Sequence, residues 1–178
     1  GKIMAITLDG STGITVGTGQ TIVGTDLGSV VAPGNTVQTQ STSFNTYASF
    51  TTSSNVDTGL SISITPKFNT SKVLVTFSLA GLSSSISSGS NAVAIFIYLY
   101  KNGSNLVQME DHWGYTNNST PHFGAATYSY LDSPATTSAV TYAVYFKGQH
   151  TGQTIAINNY FSTNGGSRSS MTAREIAQ

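Results

Sequence analysis

From about residue 39 onward, apolar side chains recur at every second position. Leu60, Ile62 and Ile64 alternate with Ser61 and Ser63, and Val73, Val75, Phe77 and Leu79 alternate with smaller or polar neighbours. A period of two is the spacing along one face of a strand, and no stretch shows the 3.6-residue recurrence of an amphipathic helix. Val, Ile, Thr, Tyr and Phe dominate these blocks, as pleated surfaces prefer. Pro66, Asn69 and Ser71 predict a turn, Ser83 to Asn91 a polar loop, and Asn102-Gly103 a tight hairpin turn after the apolar run 93–100. Further strands are predicted around Phe44, Tyr47 and Phe50, over Leu106 to Met109, and near Phe123 to Leu131, Ala139 to Phe146, Thr154 to Phe161 and Ser170 to Ile176. About eight strands with no helix signal predict an all-β, antiparallel β-sandwich of the jelly-roll kind.

The first 38 residues read differently. Ile3 to Leu8 is long enough for one short strand and Asp9 to Gly13 for a turn, but the later apolar pulses are brief and separated by glycines. Such pulses cannot build a core, so residues 1–38 are expected to form an extended N-terminal arm that anchors or intertwines. Residues 39–178 form the knob. Glycine at position 1 is what removal of an initiator methionine leaves, which suggests a complete small protein.

One strand carries extra information. Val93, Ile95, Ile97 and Leu99 fill one face of the run 93–100, while Ala94, Phe96, Tyr98 and Tyr100 fill the other. A surface strand of an antiparallel sheet should be polar outside. The segment from Ala139 to Phe146 behaves similarly. Aromatic enrichment with charge depletion is the signature of an interface core. Phe96, Tyr98, Tyr100, Tyr142 and Tyr145 are therefore the candidate seam of a homotrimer. Composition agrees: only 8% of the 178 residues are charged, against roughly 25% in ordinary domains. Seven basic and seven acidic groups leave no net charge, 52 residues are serine or threonine, and no charge lies between Lys72 and Lys101. A small domain without net charge tends to associate.

Chemistry is sparse. There is no cysteine, so disulfide scaffolds and thiolate metal sites are excluded. Balanced, thin charge argues against nucleic acid, which needs a basic face, and no apolar run approaches a membrane span. No charged segment followed by an apolar one marks a signal peptide. Glu110, Asp111, His112, His122 and His150 match no metal-ligand spacing, and on a regular strand only Glu110 and His112 would share a side. No nucleophile elbow or phosphate loop is present, so the expectation is a protein without catalysis, cofactor or metal. The run Asp111, His112, Trp113, Tyr115, Asn117 stands out: it holds the only tryptophan beside hydrogen-bonding groups, which is what stacking on a sugar requires. The alternative is that Trp113 plugs one end of the core.

The order of motifs resembles a known group. Met4-Ala5-Ile6-Thr7-Leu8-Asp9-Gly10-Ser11-Thr12-Gly13-Ile14-Thr15 is similar to the opening of small fibre-like proteins of tailed bacteriophages. Asp57-Thr58-Gly59-Leu60-Ser61-Ile62-Ser63-Ile64-Thr65-Pro66, then Ser71-Lys72-Val73-Leu74-Val75, resembles a recurrent C-terminal module of phage tail fibres. Leu99 to Ser104 resembles its central hairpin and Ser170 to Ile176 its closing strand. The resemblance implies a trimeric jelly roll on the virion surface. It would act as a capsid decoration (cement) protein or a tail-fibre, receptor-binding protein, with copies of itself, capsid or tail proteins and host surface polysaccharide as partners. A carbohydrate-binding module or lectin is the alternative.

Overall fold

The computed structural model describes residues 8–9, 13–14, 32–86, 92–116, 122–159 and 166–178. The chain divides into two compact units, Gly1–Val31 and Ala32–Gln178. In the first, β1 (Leu8–Asp9) pairs antiparallel with β2 (Gly13–Ile14). The rest of the expected arm up to residue 31, with its anchoring contacts, lies outside the described residues. The second unit starts earlier than the sequence boundary at 38/39: β3 (Thr36–Phe44) takes in Thr36, Val37 and Gln38 as sheet residues.

The second unit continues with β4 (Ala48–Thr51), β5 (Val56–Ile64), β6 (Lys72–Ile86), β7 (Val93–Lys101), β8 (Ser104–Thr116), β9 (His122–Asp132), β10 (Val140–Gly148), β11 (Gln153–Ile157) and β12 (Ser169–Ile176). No helix occurs among the described residues. One sheet runs β5-β10-β7-β8. The other runs β3-β12-β6, with β9 on the far side of β6. Setting aside the short strands β4 and β11, the eight principal strands, counted in chain order, lie 1-8-3-6 in one sheet and 2-7-4-5 in the other. All pairings are antiparallel. That winding is a jelly roll, as the strand pattern predicts.

The alternation read from sequence becomes the core. Leu60, Ile62 and Ile64 of β5, Val73, Val75, Phe77 and Leu79 of β6, and Ile95, Ile97 and Leu99 of β7 are buried together with Val140, Tyr142, Val144 and Phe146 of β10. Tyr142 was expected at a subunit seam and is instead wholly enclosed, because it shares the inward register of Val140, Val144 and Phe146. The Asn102-Gly103 turn is as predicted: both residues have positive φ, 49° and 78°, the geometry of a two-residue hairpin loop.

β6 runs past the predicted loop start, through Ser83 to Ile86. Its partner changes along its length. β12 lies beside Lys72–Ser78, and β11 takes over on the same side from Ser83. At the changeover Gly81 adopts φ +58°, and the Asn158 and Asn159 N–H groups donate to the carbonyls of Ala80 and Gly81 at 2.9 and 3.0 Å. Buried polar groups tie the sandwich ends. The enclosed Glu175 carboxylate accepts from the Lys67 and Phe68 N–H groups at 2.8 and 3.1 Å and from Gln38 Nε2 at 2.7 Å. It thereby fixes the β5–β6 turn, with no cation in ion-pair distance among the described residues. Gln153, also enclosed, donates to Ser84 Oγ and the Ala94 carbonyl and accepts from Gln149 N–H. Each knot satisfies donors and acceptors that would otherwise be costly to desolvate.

Candidate functional site

The two outward faces of the sandwich differ in chemistry. On the β3-β12-β6-β9 sheet, Ser41, Thr172, Thr76 and Ser129 lie in register across four strands, and so do Ser43, Ser170, Ser78 and Thr127. Hydroxyls bond along these rows: Thr76 Oγ1 lies 3.0 Å from Ser129 Oγ, and Thr127 Oγ1 donates to Ser78 Oγ at 3.0 Å. The side chains of these rows are short and uncharged; Arg168 Nη1 donates to Ser43 Oγ at 3.0 Å, and the next row on this face, Thr39, Arg174, Leu74 and Leu131, holds an exposed arginine.

The outer face of the β5-β10-β7-β8 sheet is aromatic. Its central residues are those that gave β7 its second apolar side. Tyr98 stands opposite Tyr145, and Phe96 opposite Lys147. Tyr100 and Tyr145 stack with centroids 3.8 Å apart at 14°, and Asn55 Nδ2 donates to the Tyr100 hydroxyl at 2.8 Å. Burial, then Asp57 and Tyr100, push the Tyr145 hydroxyl above its usual pKa. Lys147 lays its ammonium over Phe96, 4.9 Å from the ring centre, and over Tyr98 at 5.8 Å. Tyr98 is consequently only 6% exposed within a single chain. Phe96, Tyr100 and Tyr145 are half-buried. Neighbours in the same molecule thus give much of the cover that the sequence pattern assigns to sister subunits.

At the far end of this face β8 is distorted. His112 has φ 70° and Gly114 φ 64°, and the pairing with β7 slips from Ile97↔Glu110 to Ile95↔Trp113. An extra residue in a strand re-aims the side chains around it. Regular alternation would have put Glu110 and His112 on one side; the bulge separates them. Glu110 accepts the Tyr128 hydroxyl from β9 at 3.0 Å. His112 sits on the outer face, 4.7 Å from the Phe96 ring and 5.9 Å from Tyr115. Its Nδ1 is 2.9 Å from Asp111 Oδ1, and Tyr115 is 55% exposed.

Trp113, bracketed by the two left-handed residues, packs against the core cluster. Its ring lies over Gly124: a Cβ there would stand 2.9 Å from Trp113 Cζ2. Of the sugar-contact candidates, Asp111, His112 and Tyr115 are thus brought together, Trp113 is turned away, and Asn117 lies outside the described residues. Phe96 and Lys147, named for another role or for none, join them. Trp113→Ala should lower stability by about 3 kcal/mol, the low end for a large aromatic because the ring is only part-buried. Thermal melts check this, and an unchanged melting temperature would return Trp113 to the surface role.

A second polar cluster closes one end of the sandwich. Asp132 of β9, 5% exposed, takes Lys101 Nζ at 3.1 and 3.0 Å and the Tyr142 hydroxyl at 2.7 Å. Burial, and then Asp132, raise the Tyr142 pKa above its ordinary value; burial and Glu110 do the same for Tyr128. Both phenols therefore stay neutral donors. The arrangement bridges the two sheets and offers no free nucleophile. Among the described residues, no group of three or more His, Asp or Glu converges on a point that could hold a metal.

No family model matches the chain, and no curated protein matches it. Among solved structures, it is similar to the T13 viral particle of infectious bursal disease virus, with a TM-score of 0.41 and 10% identity over 98% of this chain and 40% of that one. T=1 particles derived from infectious bursal virus give 0.39 and 12% over 99% and 41%. The VP2 subviral particle of infectious bursal disease virus gives 0.36 and 12% over 99% and 42%. These three structures are of viral or subviral particles, and the chain spans about two fifths of the length of each.

Proposed function

We propose that the chain is a structural protein of a virion surface, that it assembles as a homotrimer with the jelly roll as its knob, and that it works by adhesion rather than catalysis. The observation that carries this reading is the pairing of a jelly-roll winding with one outer face crossed by rows of hydroxyls and the other carrying a band of rings. A chain with no net charge and few charged groups favours association. The motif order from residue 4 to residue 176, similar to phage fibre modules, supports the bacteriophage assignment. The segment ahead of the sandwich would hold the protein to the particle as a capsid decoration or a tail fibre. The Tyr100–Tyr145 end of the aromatic face is the part of the predicted seam left open to a neighbour. Light scattering on size-fractionated protein should give three times the 18.6 kDa chain mass. A folded monomer at micromolar concentration would overturn the trimer.

Glycan recognition is the second reading. It is favoured by the bulge in β8, which turns His112 and Tyr115 outward beside Phe96.

A further inference from the structure

We propose that Phe96, Lys147, His112, Asp111 and Tyr115 form a binding site for a carboxylate-bearing sugar, such as a uronate unit of an acidic polysaccharide. This deepens the glycan-recognition reading and rests on it, but it needs side chains of one chain only and is independent of the trimer.

Three observations carry the site. The first is backbone geometry. A non-glycine residue in the left-handed region is unfavourable, and such outliers persist where surrounding structure enforces them. His112 at φ 70° is one, and its effect is to place an imidazole and a phenol beside Phe96 at the sheet surface. The second is charge. Lys147 is held over Phe96 and Tyr98, and among the described residues no carboxylate lies within ion-pair distance of its ammonium. A cation resting on rings, with no carboxylate beside it, is suited to an incoming anion. The third is the make-up of the rim. The Asp111 carboxylate orients His112 through the 2.9 Å contact and is itself 63% exposed, so it can also accept sugar hydroxyls. Rings for the apolar face of a pyranose, one cation for its carboxylate and one acceptor for its hydroxyls account for every group in the cluster.

Commitment to an acidic sugar comes from Lys147. A neutral glycan would use the rings and Asp111 but leave the ammonium without a partner.

The test is equilibrium binding to the full chain by calorimetry, with trigalacturonic acid and the neutral galactotriose as probes. The acidic trisaccharide should bind roughly tenfold or more tightly than the neutral one, a difference of the size a single charge-assisted contact supplies. Lys147→Gln should bring the two within about twofold of each other, while Tyr115→Ala should weaken both. Both variants should stay folded and melt cooperatively, Tyr115→Ala close to the parent because its side chain is 55% exposed and Lys147→Gln a few degrees lower because it gives up the cation–π contacts to Phe96 and Tyr98. Equal affinity of the parent for the two probes overturns the acidic assignment. No binding of either by folded protein at millimolar sugar overturns the site. Scattering on the same samples reports the assembly state separately, so a monomer that binds leaves the sugar site standing, and a trimer that does not bind removes it.

Discussion

Gly81→Ala should cost the sandwich about 4 kcal/mol, a fall of roughly 8–16 °C in melting temperature for a chain of this size. A methyl at this position would lie 2.3 Å from the Asn159 carbonyl oxygen and 2.6 Å from its nitrogen. Both are backbone atoms, held by the hydrogen bonds that join the β11 end to the bend in β6. The methyl cannot be accommodated by a side-chain rotation, so the changeover itself must open. Gly103→Ala is the control. It too has positive φ, but nothing lies within 4 Å of its added carbon, so only the conformational penalty of about 1 kcal/mol applies. If differential scanning calorimetry found the two variants equally mild, close backbone approach at the bend would not be needed for the fold.

Asp132→Ala should be nearly as damaging, at about 3 kcal/mol by chemical denaturation. The substitution leaves the Lys101 ammonium without its anion and the Tyr142 hydroxyl without its acceptor, in a place where Tyr142 has no exposure to water. Lys101 keeps 27% of its side chain in solvent, which holds the cost to the lower part of the range for broken buried pairs. Replacing all three groups with apolar ones, as Lys101→Met, Asp132→Leu and Tyr142→Phe together, should recover most of the loss, because no charge or hydroxyl is then stranded. A triple variant as unstable as the single one would mean that the bridge does more than satisfy its own members.

The contrast between these two positions shows what a chain pattern can carry. Strand periodicity was readable wherever one face alone is buried: the β5 and β6 alternation maps residue for residue onto the core, and Asn102-Gly103 onto its turn. In β7 the pattern shows that both faces are apolar, but not that Lys147 and Tyr145, some fifty residues away, lie across the outer one. The aromatic character of Tyr142 points to a seam, but its register with Val140 and Val144 points inward, and register decides. The His112 bulge defeated alternation outright, since a single inserted residue inverts the side-chain order after it. Of the sugar-contact run, the position was legible and the orientation was not. Glu175, Gln153 and Gly81 gave no signal. Their partners come from segments as far as 137 residues away in sequence, and only the closed sheets bring them together.

The place of β12 has a bearing on biosynthesis. This strand, Ser169–Ile176, is inserted between β3 and β6, pairing Ser170 with both Ser43 and Ser78. While a ribosome is still adding residues before 169, β3 has no hydrogen-bonded neighbour in its sheet, and one edge of β6 along Lys72–Ser78 stands open. Long-range pairing of this sort closes slowly, and unpaired edges invite wrong partners. Nascent copies emerging side by side on one messenger would therefore meet with those edges still bare, and the last eight-residue strand is what seals each of them.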